Sequence, residues 1–258
     1  MDASKNQHWC YHGVANVIRA HSLIRSFPEV DGRRTAITGI SWGGFLTCIV
    51  LGLDDRFKAA IPIYGCGYIY KNGPWLAEFG AMKNEHRDQW IKKYDPSQYL
   101  GYCNTPVFFV NGTNDFAYLP DIYDKSYRLV KGPRNFRITL DMEHGHEQGW
   151  APKEIEMFVS QYLTGGIPLP VVHYPIAHLG RCLVASVSAE TELLSANLHY
   201  TTDTTSYSER RWNTVNAEID NNTIVANVGT DQKCISILTV RDERDAIVSS
   251  QFVFNAHS

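Results

Sequence analysis

The sequence predicts an α/β architecture: a parallel sheet with flanking helices, followed by a smaller antiparallel β-sandwich. Three observations carry that reading. Residues 11–163 alternate helix-like and strand-like patterns, and the strands are short and uniformly apolar, as when both faces of a parallel sheet are covered. The run Gly165-Gly166-Ile167-Pro168-Leu169-Pro170 then interrupts the pattern. Beyond it come short segments rich in β-branched or alternating residues, separated by turn residues, the spacing of an antiparallel sandwich. The expected domains are residues 1–166 and 171–258, with residues 67–101 as a cap-like insertion in the first.

The elements follow in order. Val14, Val17, Ile18 and Ile24 keep helical spacing up to Phe27-Pro28. Arg34 to Thr38 reads as a short buried strand running into Gly39-Ile40-Ser41-Trp42-Gly43-Gly44, and Phe45 to Leu53 as the next helix. Further buried strands are expected at Lys58–Tyr64, Pro106–Val110 and Phe136–Met142, and an amphipathic helix at Lys153–Leu163. The insertion between the second and third strands holds Trp75, Phe79, Trp90 and several tyrosines among charged residues, which suits helices and loops. In the C-terminal part, strands are expected at Arg181–Ser188, Ser195–Thr202, Val215–Ile219, Thr223–Val228, Cys234–Val240 and Ile247–Phe254. Asp220-Asn221-Asn222 and Gly229-Thr230-Asp231 supply turns.

Composition removes several function classes. With 44% hydrophobic and 20% charged residues in 258, the chain can build a real core and is not disordered as a whole. A net charge of −3 advertises neither a nucleic-acid groove nor an anionic membrane surface. No apolar run approaches the ~20 residues needed to span a bilayer, and the polar opening stretch lacks a signal-peptide core. As it stands the chain reads as a soluble, cytoplasmic protein. Its six cysteines form no CxxC pair, so they read as buried thiols rather than zinc or redox ligands. Asn111-Gly112-Thr113 and Asn221-Asn222-Thr223 match the glycosylation triplet, a pattern common by chance.

The chemistry centres on Gly39-Ile40-Ser41-Trp42-Gly43, a G-x-S-x-G pentapeptide between a buried strand and a helix. Glycines at the flanking positions allow the serine to sit on a sharp turn without collisions, and the helix N-terminus behind it favours a developing oxyanion. A serine hydroxyl needs a base, and the base an orienting acid, in the order serine, acid, histidine. Asp115 lies just past the third strand; His144 and His146 follow the fourth. Both places lie beyond the carboxyl ends of parallel strands, where sites in such sheets are built. His144 comes first after its strand and precedes a glycine, so it is favoured as base, with His146 as the alternative. Asp121 and Asp124 are rival acids in the following helix. His8, His12 and His21 read as surface or core histidines beside the first helix. No further ligand cluster accompanies His144 and His146, so no metal is expected.

The runs Gly39-Ile40-Ser41-Trp42-Gly43-Gly44, Leu53-Asp54-Asp55-Arg56-Phe57-Lys58-Ala59-Ala60, Tyr64-Gly65-Cys66-Gly67, Asn111-Gly112-Thr113-Asn114-Asp115 and Met142-Glu143-His144-Gly145-His146 resemble α/β-hydrolases of the acetylxylan esterase, dienelactone hydrolase and prolyl-oligopeptidase group. The resemblance covers about residues 9 to 170. It implies a reduced α/β-hydrolase sheet and a serine hydrolase with Ser41 as nucleophile, Asp115 as acid and His144 as base. It also implies one oxyanion donor at the Trp42 backbone N–H, an acyl-enzyme cleared by water, and no cofactor.

One departure stands out. Only one helix precedes the elbow strand, whereas the family places several strands there and takes its second oxyanion donor from a loop among them. Truncation, a split protein and a naturally reduced fold would each account for it. The Arg34–Thr38 strand is then expected to present an unpaired edge, covered by a second copy or another chain. The expected activity is hydrolysis of short-chain acyl esters, including acetylated sugars. The alternatives are a small serine peptidase and an inactive scaffold carrying a β-sandwich binding or assembly module.

Overall fold

The computed structural model describes residues 8–174, 176–179, 182–228, 230 and 232–255. Its contacts group into two compact units. One comprises residues 1–108 and 116–134, the other residues 109–115 and 135–258. The division falls inside the third strand rather than at the glycine–proline run. Of the sequence expectations, the segment Met1–Gln7, the first residue of the Arg181 strand, and Gly229 and Asp231 of the last turn lie outside the described residues.

The first unit runs α1 (Trp9–Ile24), β1 (Ala36–Ile40), α2 (Trp42–Val50), β2 (Ala59–Ile63), α3 (Leu76–Ala81), α4 (Asn84–Tyr94) and, after β3 (Val107–Gly112) has left it, α5 (Pro120–Tyr127). β1 and β2 pair in parallel, Ala36 opposite Ala59 through Ile40 opposite Ile63. All five residues of β2 are buried, as expected of a strand covered on both faces. β1 is less enclosed, with Thr38 exposed, and among the described residues β2 is its one strand neighbour. It starts two residues later than the sequence suggests and delivers Gly39 and Ile40 to the turn in extended form. α2 then begins at Trp42, three residues earlier than expected, because the helix starts directly from the serine.

α1 departs from its pattern. Its buried residues are Cys10 and His21, whereas Val14, Val17 and Ile18 are half-buried and Ile24 is exposed. His21 explains part of this. Its Nδ1 lies 2.8 Å from Asp54 Oδ2 and its Nε2 lies 2.8 Å from Thr35 Oγ1. Asp54 is held in turn by Arg56 through Nε and Nη2, both at 2.6 Å. A polar staple, not an aliphatic stripe, therefore fixes the helix end.

The second unit continues with β4 (Arg134–Thr139, from Asn135 onward), α6 (His146–Trp150), α7 (Glu154–Leu163), β5 (Val171–Val172), β6 (Ala177–Leu179), β7 (Cys182–Ser188), β8 (Leu193–Thr201), β9 (Asn213–Asp220), β10 (Thr223–Asn227), β11 (Cys234–Asp242), β12 (Ile247–Ser249) and β13 (Val253–Asn255). The C-terminal strands are antiparallel as expected, and neighbours pair along one path, β4-β12-β11-β8-β9-β10-β7-β5. Val240 opposite Val248 and Ile237 opposite His199 illustrate the register. The single strand expected over Ile247–Phe254 is two. Ser250 interrupts it by exchanging bonds with Leu238, its N–H donating to the Leu238 carbonyl at 2.7 Å and its Oγ accepting the Leu238 N–H at 3.0 Å. β5 and β6 escape the sequence reading because they are two and three residues long.

Candidate active site

The first unit presents the serine. β1 ends at Ile40, α2 begins at Trp42, and Ser41 between them takes φ 57° and ψ −117°. A side chain at positive φ is strained, and such conformations persist where the surroundings enforce them. Two backbone bonds do so here: the Ser41 N–H donates to the Ile63 carbonyl at 3.0 Å, and the Ser41 carbonyl accepts the Phe45 N–H at 2.9 Å. The turn is thereby anchored both to the neighbouring strand end and to the helix it starts.

The glycines contribute unequally. A Cβ on Gly39 would stand 2.4 Å from the Gly43 carbonyl oxygen, so that glycine is sterically required. Gly43 is different from the sequence expectation: a Cβ there would meet nothing within 4 Å. The collision falls one residue later. A Cβ on Gly44 would lie 2.4 Å from the Ile63 carbonyl oxygen, and one on Gly65 would lie 2.0 Å from the Gly44 carbonyl carbon. The close approach of α2 to the end of β2 thus depends on Gly44 and Gly65. The second glycine of Gly43-Gly44 and the Tyr64-Gly65 pair were the available signals.

The second unit brings the acid and a base together. His144 Nδ1 lies 3.1 Å from both carboxylate oxygens of Asp115. Asp115 is fully buried, and the His144 side chain is 15% exposed. A carboxylate can only accept, so Nδ1 carries the donated proton and a neutral ring keeps its lone pair on Nε2. This is the tautomer a general base requires. His146, the alternative base, is the exposed first residue of α6. Asp121 and Asp124, both in α5, are engaged elsewhere. Asn72 donates to Asp121 at 3.0 Å, and Asp124 takes the Tyr127 hydroxyl and the Arg128 guanidinium.

Residues the sequence reading passed over hold the acid and base loops side by side. Gly112, at the end of β3, runs so close to the loop after β4 that a Cβ would fall 1.9 Å from the Met142 carbonyl oxygen. Thr113 Oγ1 accepts the Asp141 N–H at 2.9 Å, and the Asn114 N–H reaches the Met142 carbonyl at 3.3 Å. The Asn114 side-chain amide donates to the carbonyls of Ser208 and Arg210, at 3.2 and 3.0 Å. A loop 94 residues further along the chain therefore braces the residue next to the acid. The buried Asn111 lies in the same strand, which removes the Asn111-Gly112-Thr113 triplet as a glycosylation acceptor.

A model of the prolyl oligopeptidase family matches residues 3–161. The chain belongs to the prolyl oligopeptidase family. The match takes in the elbow, the Asp115 loop and the His144 loop, the same stretches that carry the resemblance read from the sequence. Among curated proteins of known sequence, the chain is 24% identical over 148 residues to acetyl esterase Axe7A of Xylanibacter ruminicola, covering 54% of this chain and 34% of that protein. It is 27% identical over 104 residues to the uncharacterized peptidase YuxL of Bacillus subtilis, covering 36% of this chain and 15% of that one. Among solved structures, an acetyl xylan esterase from Paenibacillus sp. R4 superposes with a TM-score of 0.54 at 21% identity, covering 61% of this chain and 54% of that one. Pyrococcus horikoshii acylaminoacyl peptidase gives 0.51 at 23%, covering 58% and 28%. These likenesses show that this prolyl oligopeptidase family member has the α/β-hydrolase fold. The chain spans about a third of the acetyl esterase and about half of the xylan esterase. Among the described residues, no helix is long and apolar enough to cross a membrane.

Proposed function

We propose that the chain is a serine carboxylic ester hydrolase acting on short-chain acyl esters, with acetylated sugars within its range. The observation that carries this reading is the fully buried Asp115 carboxylate holding His144 by Nδ1, in a chain whose Ser41 sits on a positive-φ strand-to-helix turn. In the proposed cycle His144 Nε2 takes the Ser41 hydroxyl proton as Oγ attacks the ester carbonyl. The tetrahedral oxyanion is stabilised at the N-terminus of α2, with the Trp42 backbone N–H as donor. His144 returns the proton to the departing alcohol, and water then clears the acyl group from Ser41 by the same route. Asp115 stays ionised and stabilises the imidazolium of each step. No cofactor enters this cycle.

The esterase reading is favoured over a peptidase by the acetyl esterase and acetyl xylan esterase among the relatives, although peptidases stand there too. Turnover of nitrophenyl acetate, compared with a proline-containing peptide anilide, separates the two. Ester turnover lost in Ser41→Ala is the expected result; cleavage of the anilide alone would move the chain to the peptidases, and neither would leave the scaffold reading. We also propose that a second copy pairs along β1, whose outer edge has no strand neighbour among the described residues. A strictly monomeric species in sedimentation would overturn that part.

A further inference from the structure

The first unit contains a cleft that the hydrolase cycle does not use. It has a volume of about 240 Å³ and three walls. One wall is a single stripe of α1, where Cys10, Val14 and Ile18 recur at four-residue intervals, the spacing of one helix face. The stripe is core-like in composition, yet Val14 and Ile18 are only half-buried. Opposite stand Ile49 and Leu53, from the far end of α2 and just beyond it. Ile49 is eight residues from Ser41, which at 1.5 Å per residue puts it roughly 12 Å along the helix from the nucleophile. The third wall is Lys93, Tyr94 and Tyr99.

The walls are built independently of any ligand. The Tyr94 ring stacks on His8 with centroids 4.2 Å apart, and the Trp90 indole N–H donates to His8 Nε2 at 3.0 Å. The Tyr99 hydroxyl donates to the Lys93 carbonyl at 2.5 Å, fixing the lysine backbone at the rim. Burial pushes the Cys10 thiol up to about 12, so it stays neutral and adds no charge. The lining therefore holds one charged group, the half-buried Lys93, which makes no ion pair among the described residues. A single ammonium in an otherwise uncharged, mostly apolar lining complements an apolar body with a single negative head. A phosphate or dicarboxylate is better matched by a guanidinium fork or a second cation, and the lining holds neither.

We propose that this cleft binds an aliphatic monocarboxylate, its chain laid along Val14 and Ile18 and its carboxylate at Lys93. The inference is independent of the esterase reading. It is tested by titrating the 258-residue protein with decanoate and with decanol, following heat and thermal stability. Decanoate is expected to bind and raise the melting temperature. Lys93→Gln should weaken decanoate about tenfold or more, the range of a charge-assisted bond, while leaving decanol binding unchanged. Ile18→Trp should fill the cleft and abolish both; Leu53→Trp, at a half-exposed position on the opposite wall, does the same if the first variant fails to fold. Nitrophenyl acetate turnover should be unaffected by Lys93→Gln. Absence of decanoate binding, or binding that survives Lys93→Gln and a folded tryptophan variant, would overturn the proposal. So would self-association of the protein that the tryptophan variants abolish, since the cleft would then be covered by a second copy.

Discussion

Among the described residues, two aspartate–histidine pairs differ in almost everything except their chemistry. His21 and Asp54 are 2.8 Å apart, each only 4% exposed, and the second ring nitrogen is committed to the Thr35 hydroxyl. His144 and Asp115 are 3.1 Å apart, the acid fully buried and the base on a half-open loop beyond β4. Both carboxylates select the same histidine tautomer. The difference lies in what surrounds the acid and what lies beyond the ring. Arg56 clamps Asp54 into an ion pair and Phe57 stacks on His21 with centroids 3.7 Å apart, an arrangement that joins α1 to the strand ends and leaves no room for substrate. Asp115 receives His144 Nδ1, and its loop is braced through backbone atoms by Thr113 and Asn114. A hydroxyl–imidazole–carboxylate row is therefore not by itself a catalytic site. Its place in the fold, beyond the carboxyl end of a strand, is what distinguishes the second pair.

Substitutions should separate the pairs by readout. The largest expected effect is on chemistry: Asp115→Asn should lower kcat for nitrophenyl acetate by about 10⁴-fold through the wrong tautomer, with the folded state kept as judged by circular dichroism. Equal turnover in this variant would mean that His144 is not the base. His144→Ala should match that loss, whereas His146→Ala should stay within a few-fold of the parent; the reverse ranking would hand the role to His146.

Next in size is stability. Asp54→Asn should cost about 3 kcal/mol in urea unfolding, because it removes the buried anion that His21 and Arg56 share, yet turnover per folded molecule should hold. The same pair sets a pH limb. Burial alone would raise the Asp54 pKa, but the bonds from Arg56 and His21 outweigh it and hold the folded value below the ordinary carboxylate range. The folded value lies below the unfolded one, so the contribution is complete above about pH 4. It is lost as pH falls through the folded value, and Asp54→Asn should flatten that acid limb. An unchanged acid limb would contradict the staple. The smallest effect is expected at Asn114→Ala, about 1 kcal/mol of stability and a several-fold loss of kcat with KM unchanged, since the residue holds the acid loop without touching substrate.

How much of this was legible in the sequence depended on locality. The elbow could be read because its strand, turn and helix are contiguous, and the order Ser41, Asp115, His144 because each follows an apolar strand. The start of β1 lies two residues beyond the expected one, and side-chain and backbone bonds at Ser250, not periodicity, divide the last expected strand. The sequence left His21 open as a surface or core histidine, since Asp54 is 33 residues away and no motif joins them. The spacing of Asp54 and Arg56, which lets the carboxylate accept both the backbone and the guanidinium of a residue two positions on, was the one local hint. Asn114 was hidden for the same reason: its partners at Ser208 and Arg210 lie in a segment whose composition announces only a loop. The half-buried stripe of α1 could be read only as a helix face, because periodicity reports amphipathicity and not what covers it.

We propose that Ser41 is an activated nucleophile rather than a relic of the fold. Intact-mass analysis after exposure to a fluorophosphonate reads this directly. A single adduct on Ser41 is expected, formed rapidly in the parent, absent in Ser41→Ala and strongly slowed in Asp115→Asn but not in Asp54→Asn. An unlabelled, folded parent protein, or labelling of Ser41 at equal rates in both aspartate variants, would contradict it.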